Sequence, residues 1–119
     1  MTWEGELYLE LHNGTYTNMA EHKHYNRFTE NLLRDLEIFT NFAEAVCGKF
    51  LQPEEITDMW RIFLIDQFHD VLPGTCTELT VQDTRKNHNM IRYNSKNLFD
   101  TAMTKLSQFF KVAIDGSPK

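Results

Sequence analysis

The sequence predicts an all-α fold, a three-helix up-down-up bundle with a short extended N-terminal lead-in. Three observations predict it. Apolar residues recur at intervals of three and four over three long segments. Proline and glycine fall between those segments, at Gly48, Pro53, Pro73 and Gly74. The connections are short, which makes consecutive helices antiparallel neighbours. At 119 residues the chain is long enough for one domain, 1–119, with a lead-in over 1–16 and a tail over 112–119.

The lead-in reads Gly-Glu-Leu-Tyr-Leu-Glu-Leu over residues 5–11. Leu7, Leu9 and Leu11 alternate with Glu6, Tyr8 and Glu10, a period of two that predicts an extended segment ended by Asn13-Gly14. It has no partner strand in the chain, so its apolar face is expected to dock against something else. Asn13-Gly14-Thr15 also matches the glycosylation acceptor pattern; without a visible secretory signal the tight-turn reading is preferred.

The first helix is predicted from about residue 18 to about 47. Tyr25, Phe28, Leu32, Leu36, Phe39, Ala43 and Val46 share one face, widened by Leu33. Thr17 or Asn18 can cap its start, and Gly48 stops it. Pro53-Glu54-Glu55 opens the second, because proline suits the first helical position and carboxylates suit the N-terminal dipole. Ile56, Met59, Trp60, Phe63, Leu64, Gln67 and Phe68 form its expected buried face. It should end near Asp70 to Leu72, before Pro73-Gly74. Thr80 through Asp83 resembles a capped start for the third. Met90 or Ile91, Leu98, Ala102, Leu106 and Phe109 carry that helix to about residue 111.

Apolar residues make up 41% and charged residues 24%, as expected of a folded soluble protein. The net charge of −5 gives no reason to expect nucleic acid or an anionic membrane as partner. No apolar run reaches the length of a membrane span. Two cysteines, Cys47 and Cys76, are expected to be free thiols in a reducing compartment, hence a cytoplasmic location.

Of the five histidines, His22, His24 and His88 are expected to be solvated surface residues. His12 stands at an element boundary, a place more open to function. His69 follows an apolar helical run and precedes Asp70 and a Pro-Gly breaker. It reads either as a capping histidine at a helix C-terminus or as a metal ligand with Asp70 beside it. A metal site needs three or four ligands, and no HExxH or CxxC pattern supplies the others.

Two segments resemble class II α-mannosidases, the zinc-dependent family-38 glycoside hydrolases. Gly5 to Thr17 looks like the segment leading into that family's helical middle domain, in a form closer to the cytosolic and microbial branch. Gln67-Phe68-His69-Asp70-Val71-Leu72-Pro73-Gly74-Thr75 looks like the family's Q-x-H-D-x-x-x-G-T segment. The resemblance implies that His69 is a ligand of the catalytic zinc, that Asp70 contacts the bound mannose, and that His12 lines the substrate cleft.

It also implies that the nucleophile, the acid/base carboxyl and the other zinc ligands belong to an N-terminal catalytic domain, with a C-terminal β domain beyond the bundle. Retaining glycosidases need two carboxyl groups roughly 5 Å apart. The chain is therefore expected to be part of a longer or split enzyme that hydrolyses terminal α-mannosides, and to be inactive alone. The alternative is a non-catalytic helical protein-interaction module. Self-association through apolar surface is a further possibility.

Overall fold

The structure is a computed structural model that describes residues 2–5, 11–51 and 53–115. It is built from three helices, α1 (Ala20–Cys47), α2 (Pro53–Ile65) and α3 (Glu78–Asp115), preceded by a single 3-10 turn over Asn13–Tyr16. No strand occurs among the described residues. Residues 6–10, which hold most of the alternating lead-in, lie outside them; Leu11 is exposed.

The order is up-down-up. Phe39 of α1 meets Phe99 of α3 with ring centroids 5.4 Å apart, and Thr29 meets His88. The partners of α1 thus advance along α3 in the same direction, so the two helices are parallel. α2 runs against both: Met59 meets Ser95, whereas Asp66, seven residues later, meets Asn87. Leu33, Leu36, Met59, Phe63 and Ile91 form the central cluster, where all three helices contribute. Each such side chain, taken fully out of water, stabilises by about 1.5–3 kcal/mol. Since α2 is 13 residues against 28 and 38 for its neighbours, the far end is built mostly by α1 and α3. There Ala43, Ala102 and Leu106 form a second cluster with Phe39, Val46, Cys47 and Phe50.

The buried faces differ in detail from those predicted. On α1 the buried positions are His22, Thr29, Leu33, Leu36, Thr40 and Ala43, whereas Phe28 is exposed. On α3 they are Val81, Thr84, His88, Ile91, Ser95, Ala102 and Leu106. The 3-4 spacing holds, but polar residues occupy part of it. Thr40 stays in the core because its Oγ1 donates to the Leu36 carbonyl at 2.7 Å, and Thr84 Oγ1 donates to Thr80 at 3.0 Å. α2 ends at Ile65, short of the expected Asp70 to Leu72, and Leu64 on it and Phe68 just beyond it are exposed rather than buried.

The helix ends also depart from expectation. Met19, not Thr17 or Asn18, occupies the start of α1, in a left-handed conformation with no side-chain cap bond. α3 is capped by Thr77, whose Oγ1 accepts from the Thr80 N–H at 3.4 Å, so Thr80 is inside the helix. Gly48 does end α1, at φ 85° with its N–H on the Glu44 carbonyl. Glu44 Oε1 then accepts the Phe50 and Leu51 N–H groups at 3.1 and 2.8 Å, which fixes the turn into α2 and lowers the Glu44 pKa. No helix among the described residues is long and apolar enough to cross a membrane.

Candidate functional site

The segment between α2 and α3, residues 66–77, carries the His-Asp pair. It tightens first into i→i+3 turns, with the Gln67 N–H on the Leu64 carbonyl and the Phe68 N–H on the Ile65 carbonyl. Two side chains anchor this entry to the bundle. Gln67 Nε2 donates to Asn26 Oδ1 at 2.6 Å and to the Phe63 carbonyl at 3.1 Å, reaching α1. Asp66 is 4% exposed and accepts from Asn87 Nδ2 at 3.1 and 3.3 Å, reaching α3. Burial raises the Asp66 pKa, against the opposing pull of the Asn87 and Thr84 hydrogen bonds.

Asp70 closes the loop on itself. Its carbonyl accepts the Thr75 N–H at 3.0 Å, and its Oδ1 accepts Thr75 Oγ1 at 2.8 Å. Between them Gly74 turns at φ 82°, a conformation that glycine adopts without strain. The Gly74 carbonyl accepts from Asn18 Nδ2 at 3.0 Å, and Lys23 Nζ donates to the Pro73 carbonyl at 3.3 Å. The chain leading into α1 is thereby stitched to the turn that follows the His-Asp pair.

The pair itself faces outward. The His69 side chain is 78% exposed and the Asp70 side chain 50%, with His69 Nε2 lying 3.5 Å from Asp70 Oδ2. The Phe68 ring lies against the imidazole, centroid to centroid 4.1 Å. Leu64 and Ile65, at the end of α2, are exposed as well, as is Phe68. A rigid base and an open imidazole-carboxylate pair suit a ligand shared with another surface. Among the described residues no group of three or more His, Cys, Asp or Glu is placed to hold a metal ion.

His12 is exposed, at φ 64°, and its carbonyl accepts both the N–H and the Oγ1 of Thr15, at 3.0 and 2.7 Å. Among the described residues no hydrogen bond joins it to His69 or Asp70. Cys47 and Cys76 are free.

Two histidines expected at the surface are buried instead. His22 is 7% and His88 1% exposed, while His24 is exposed as expected. Their rings are 5.7 Å apart and line a cavity of about 230 Å³ between the starts of α1 and α3, together with Met19, Tyr25 and Arg85. His88 Nδ1 is 2.9 Å from Thr29 Oγ1, and the Nε2 of each ring lacks a hydrogen-bond partner. Desolvation, with His22 as a like neighbour, pushes the His88 pKa down to about 4; His22 is lowered by desolvation and then by Lys23 and Arg85. The spacing 22, 29, 33, 36 and 81, 84, 88, 91 held the signal for this burial, but a count of apolar residues alone passes over it.

The alpha mannosidase middle domain family matches residues 10–106. Alpha-mannosidase 2C1 of Mus musculus is 42% identical over 106 residues, covering 88% of this chain and 10% of that protein. Alpha-mannosidase 2C1 of Homo sapiens is 40% identical over 106 residues, with the same coverage. Alpha-mannosidase G of Dictyostelium discoideum is 36% identical over 105 residues, again 88% of this chain and 10% of the relative. The chain thus spans about a tenth of the length of these curated relatives. No solved structure gives a significant match. The all-helical bundle and the extent of these matches agree: the chain belongs to the alpha mannosidase middle domain family.

Proposed function

We propose that this chain is the middle-domain portion of a zinc-dependent retaining α-mannosidase, and that it contributes His69 as a zinc ligand and Asp70 as a sugar contact. Adjoining catalytic and β domains would complete the active site, and terminal α-mannosides would be its substrates. The observation that carries the reading is the outward-facing His69–Asp70 pair on a braced loop, in a chain of this family. Exposed imidazole is a common zinc donor, and one donor out of three or four is what a shared site asks of each side. Bound there, zinc would act as a Lewis acid toward sugar hydroxyls.

The chain's own residues do the positioning. Thr75 holds Asp70 Oδ1, which leaves Oδ2 toward His69 and toward incoming hydroxyl groups. Asp66 and Gln67 fix the loop entry on α3 and α1, so that His69 projects from a rigid end. His12 would line the substrate cleft, a place that the family resemblance implies for it. The exposed Leu64, Ile65 and Phe68 give the adjoining domain an apolar surface to cover, and the same surface would serve self-association if left bare. Free Cys47 and Cys76 agree with a reducing, cytoplasmic location.

The test uses the chain assembled with the domains that complete the enzyme. His69→Ala should abolish stoichiometric zinc by metal analysis and lower turnover of a chromogenic α-mannoside by on the order of a hundredfold or more. Full zinc content and undiminished turnover in that variant would refute the assignment. Alone, the 119-residue chain should show no saturable turnover even with added zinc.

A further inference from the structure

Two imidazoles and a thioether border the cavity between the starts of α1 and α3. His22 and His88 are each more than nine-tenths buried, and both line it. Each leaves its Nε2 buried without a hydrogen-bond partner among the described residues. A buried polar nitrogen with nothing to bond is costly and rare. Two of them, brought to one cavity by different helices, point to a ligand that both rings hold.

A metal ion suits the geometry. Two imidazoles that share one metal at about 2.0 Å per nitrogen have ring centroids no more than about 6.3 Å apart. The His22 and His88 centroids are 5.7 Å apart, inside that limit, so a shared ion would sit at a bend and keep a third position open. Met19, one turn before His22 at the start of α1, lines the same cavity and offers its sulfur. On the other side of the His88 ring, Nδ1 lies 2.9 Å from Thr29 Oγ1. With the ring proton on Nδ1 and donated to that hydroxyl, the Nε2 lone pair is free, as ligating histidines commonly have it.

Charge and softness select the ion. Arg85 at the cavity is engaged by Glu21 at 3.2 Å, and Glu78 is offset by Lys23 beside His22, so the four charges sum to zero. No surplus of carboxylate is present for a divalent ion. Among the described residues no third His, Cys, Asp or Glu joins the pair to make a zinc-type set. Imidazole and thioether donors together suit monovalent copper. We propose that Met19, His22 and His88 form a copper(I) site that clamps the start of α1 to α3. It is separate from the zinc chemistry proposed for His69 and Asp70 and does not rest on it.

The test uses the 119-residue chain carrying Cys47→Ala and Cys76→Ala, which removes the two free thiols as competing ligands. The probe is copper(I) delivered from a chromophoric copper(I) chelator under reducing conditions. One equivalent should pass to the protein. X-ray absorption of the complex should show two imidazole nitrogens and one thioether sulfur on copper. His22→Ala and His88→Ala should each weaken binding by about a hundredfold, and Thr29→Val, which removes the acceptor for Nδ1–H, by about tenfold. Met19→Leu should lose the sulfur and keep both nitrogens. His69→Ala should bind copper(I) as its parent does.

Four results would overturn the proposal: no transfer of copper(I), a spectrum without imidazole nitrogen, undiminished binding in His22→Ala and His88→Ala, or an equal loss in His69→Ala. The spectrum needs no substitution at either histidine, so it remains decisive where those variants fold poorly. Full zinc and turnover in His69→Ala, which would remove the zinc assignment, leave the copper result intact.

Discussion

Acidification should unfold this bundle through His88. The imidazole is 1% exposed and its pKa is held down to about 4, from 6.5 in the unfolded chain. The unfolded state therefore binds a proton that the folded state refuses, and stability falls as pH drops from about 6.5 toward about 4, levelling off below. The full difference of about 2.5 units is worth about 3 kcal/mol. Between about pH 7 and about pH 5, linkage gives a loss of about 2 kcal/mol from this residue alone. His22, lowered as well, adds in the same direction.

Asp66 works oppositely. Its raised pKa means that its carboxylate costs stability at neutral pH, and the cost lifts as pH falls through the folded value. The assay is urea unfolding followed by far-UV circular dichroism at several pH values. His88→Asn, which cannot titrate and keeps a polar atom near Thr29, is the comparison. The wild type should lose about 2 kcal/mol more than the variant over that window. Parallel loss in the two proteins would refute the reasoning and assign the acid sensitivity elsewhere.

Substitutions at two further positions probe the loop. Asp66→Ala leaves the Asn87 amide without its acceptor and should destabilise by about 1–3 kcal/mol in denaturant unfolding, whereas Asp66→Asn keeps an acceptor, loses the buried charge and should cost much less. Gly74→Ala must hold φ 82° with a Cβ that would meet Met19 Sδ at 2.7 Å and Asn18 Nδ2 at 2.8 Å; it should lower thermal stability by about 1–3 kcal/mol and release the Asn18–Gly74 bond, visible as faster exchange of nearby amides.

The helices could be read from the sequence because their apolar spacing is regular and Pro53, Gly48 and Pro73-Gly74 mark the ends. The His69–Asp70 segment stood out for the same local reason, and the family resemblance gave it meaning. What could not be read was tertiary. Thr29, Thr40, Thr84 and Ser95 are buried at helical spacing. Their hydroxyls are accommodated either by a carbonyl four residues back, as for Thr40 and Thr84, or by a partner on another helix, as for Thr29 and Ser95. No scale of single residues anticipates that choice. His22 and His88 passed for surface residues because each needs the other, 66 positions away, to define its environment. The same holds for Asp66, whose partner Asn87 is 21 positions on.

The parallel arrangement of α1 and α3 bears on how the chain assembles. Thr29 and His88 are 59 residues apart, and Glu21 and Arg85 are 64 apart, so contacts across this interface close loops of about that length. Contacts across the α1–α2 turn close loops as short as that between Glu44 and Leu51, seven residues. Each doubling of loop length costs about 0.6 kcal/mol more in chain entropy. The most extensive seam of the bundle is thus its least local. The α1–α2 hairpin has the entropic advantage in closing first, and α3 then zips onto a surface already made. For an all-helical protein this raises the contact order and slows folding relative to a bundle whose main seam lies between sequential neighbours.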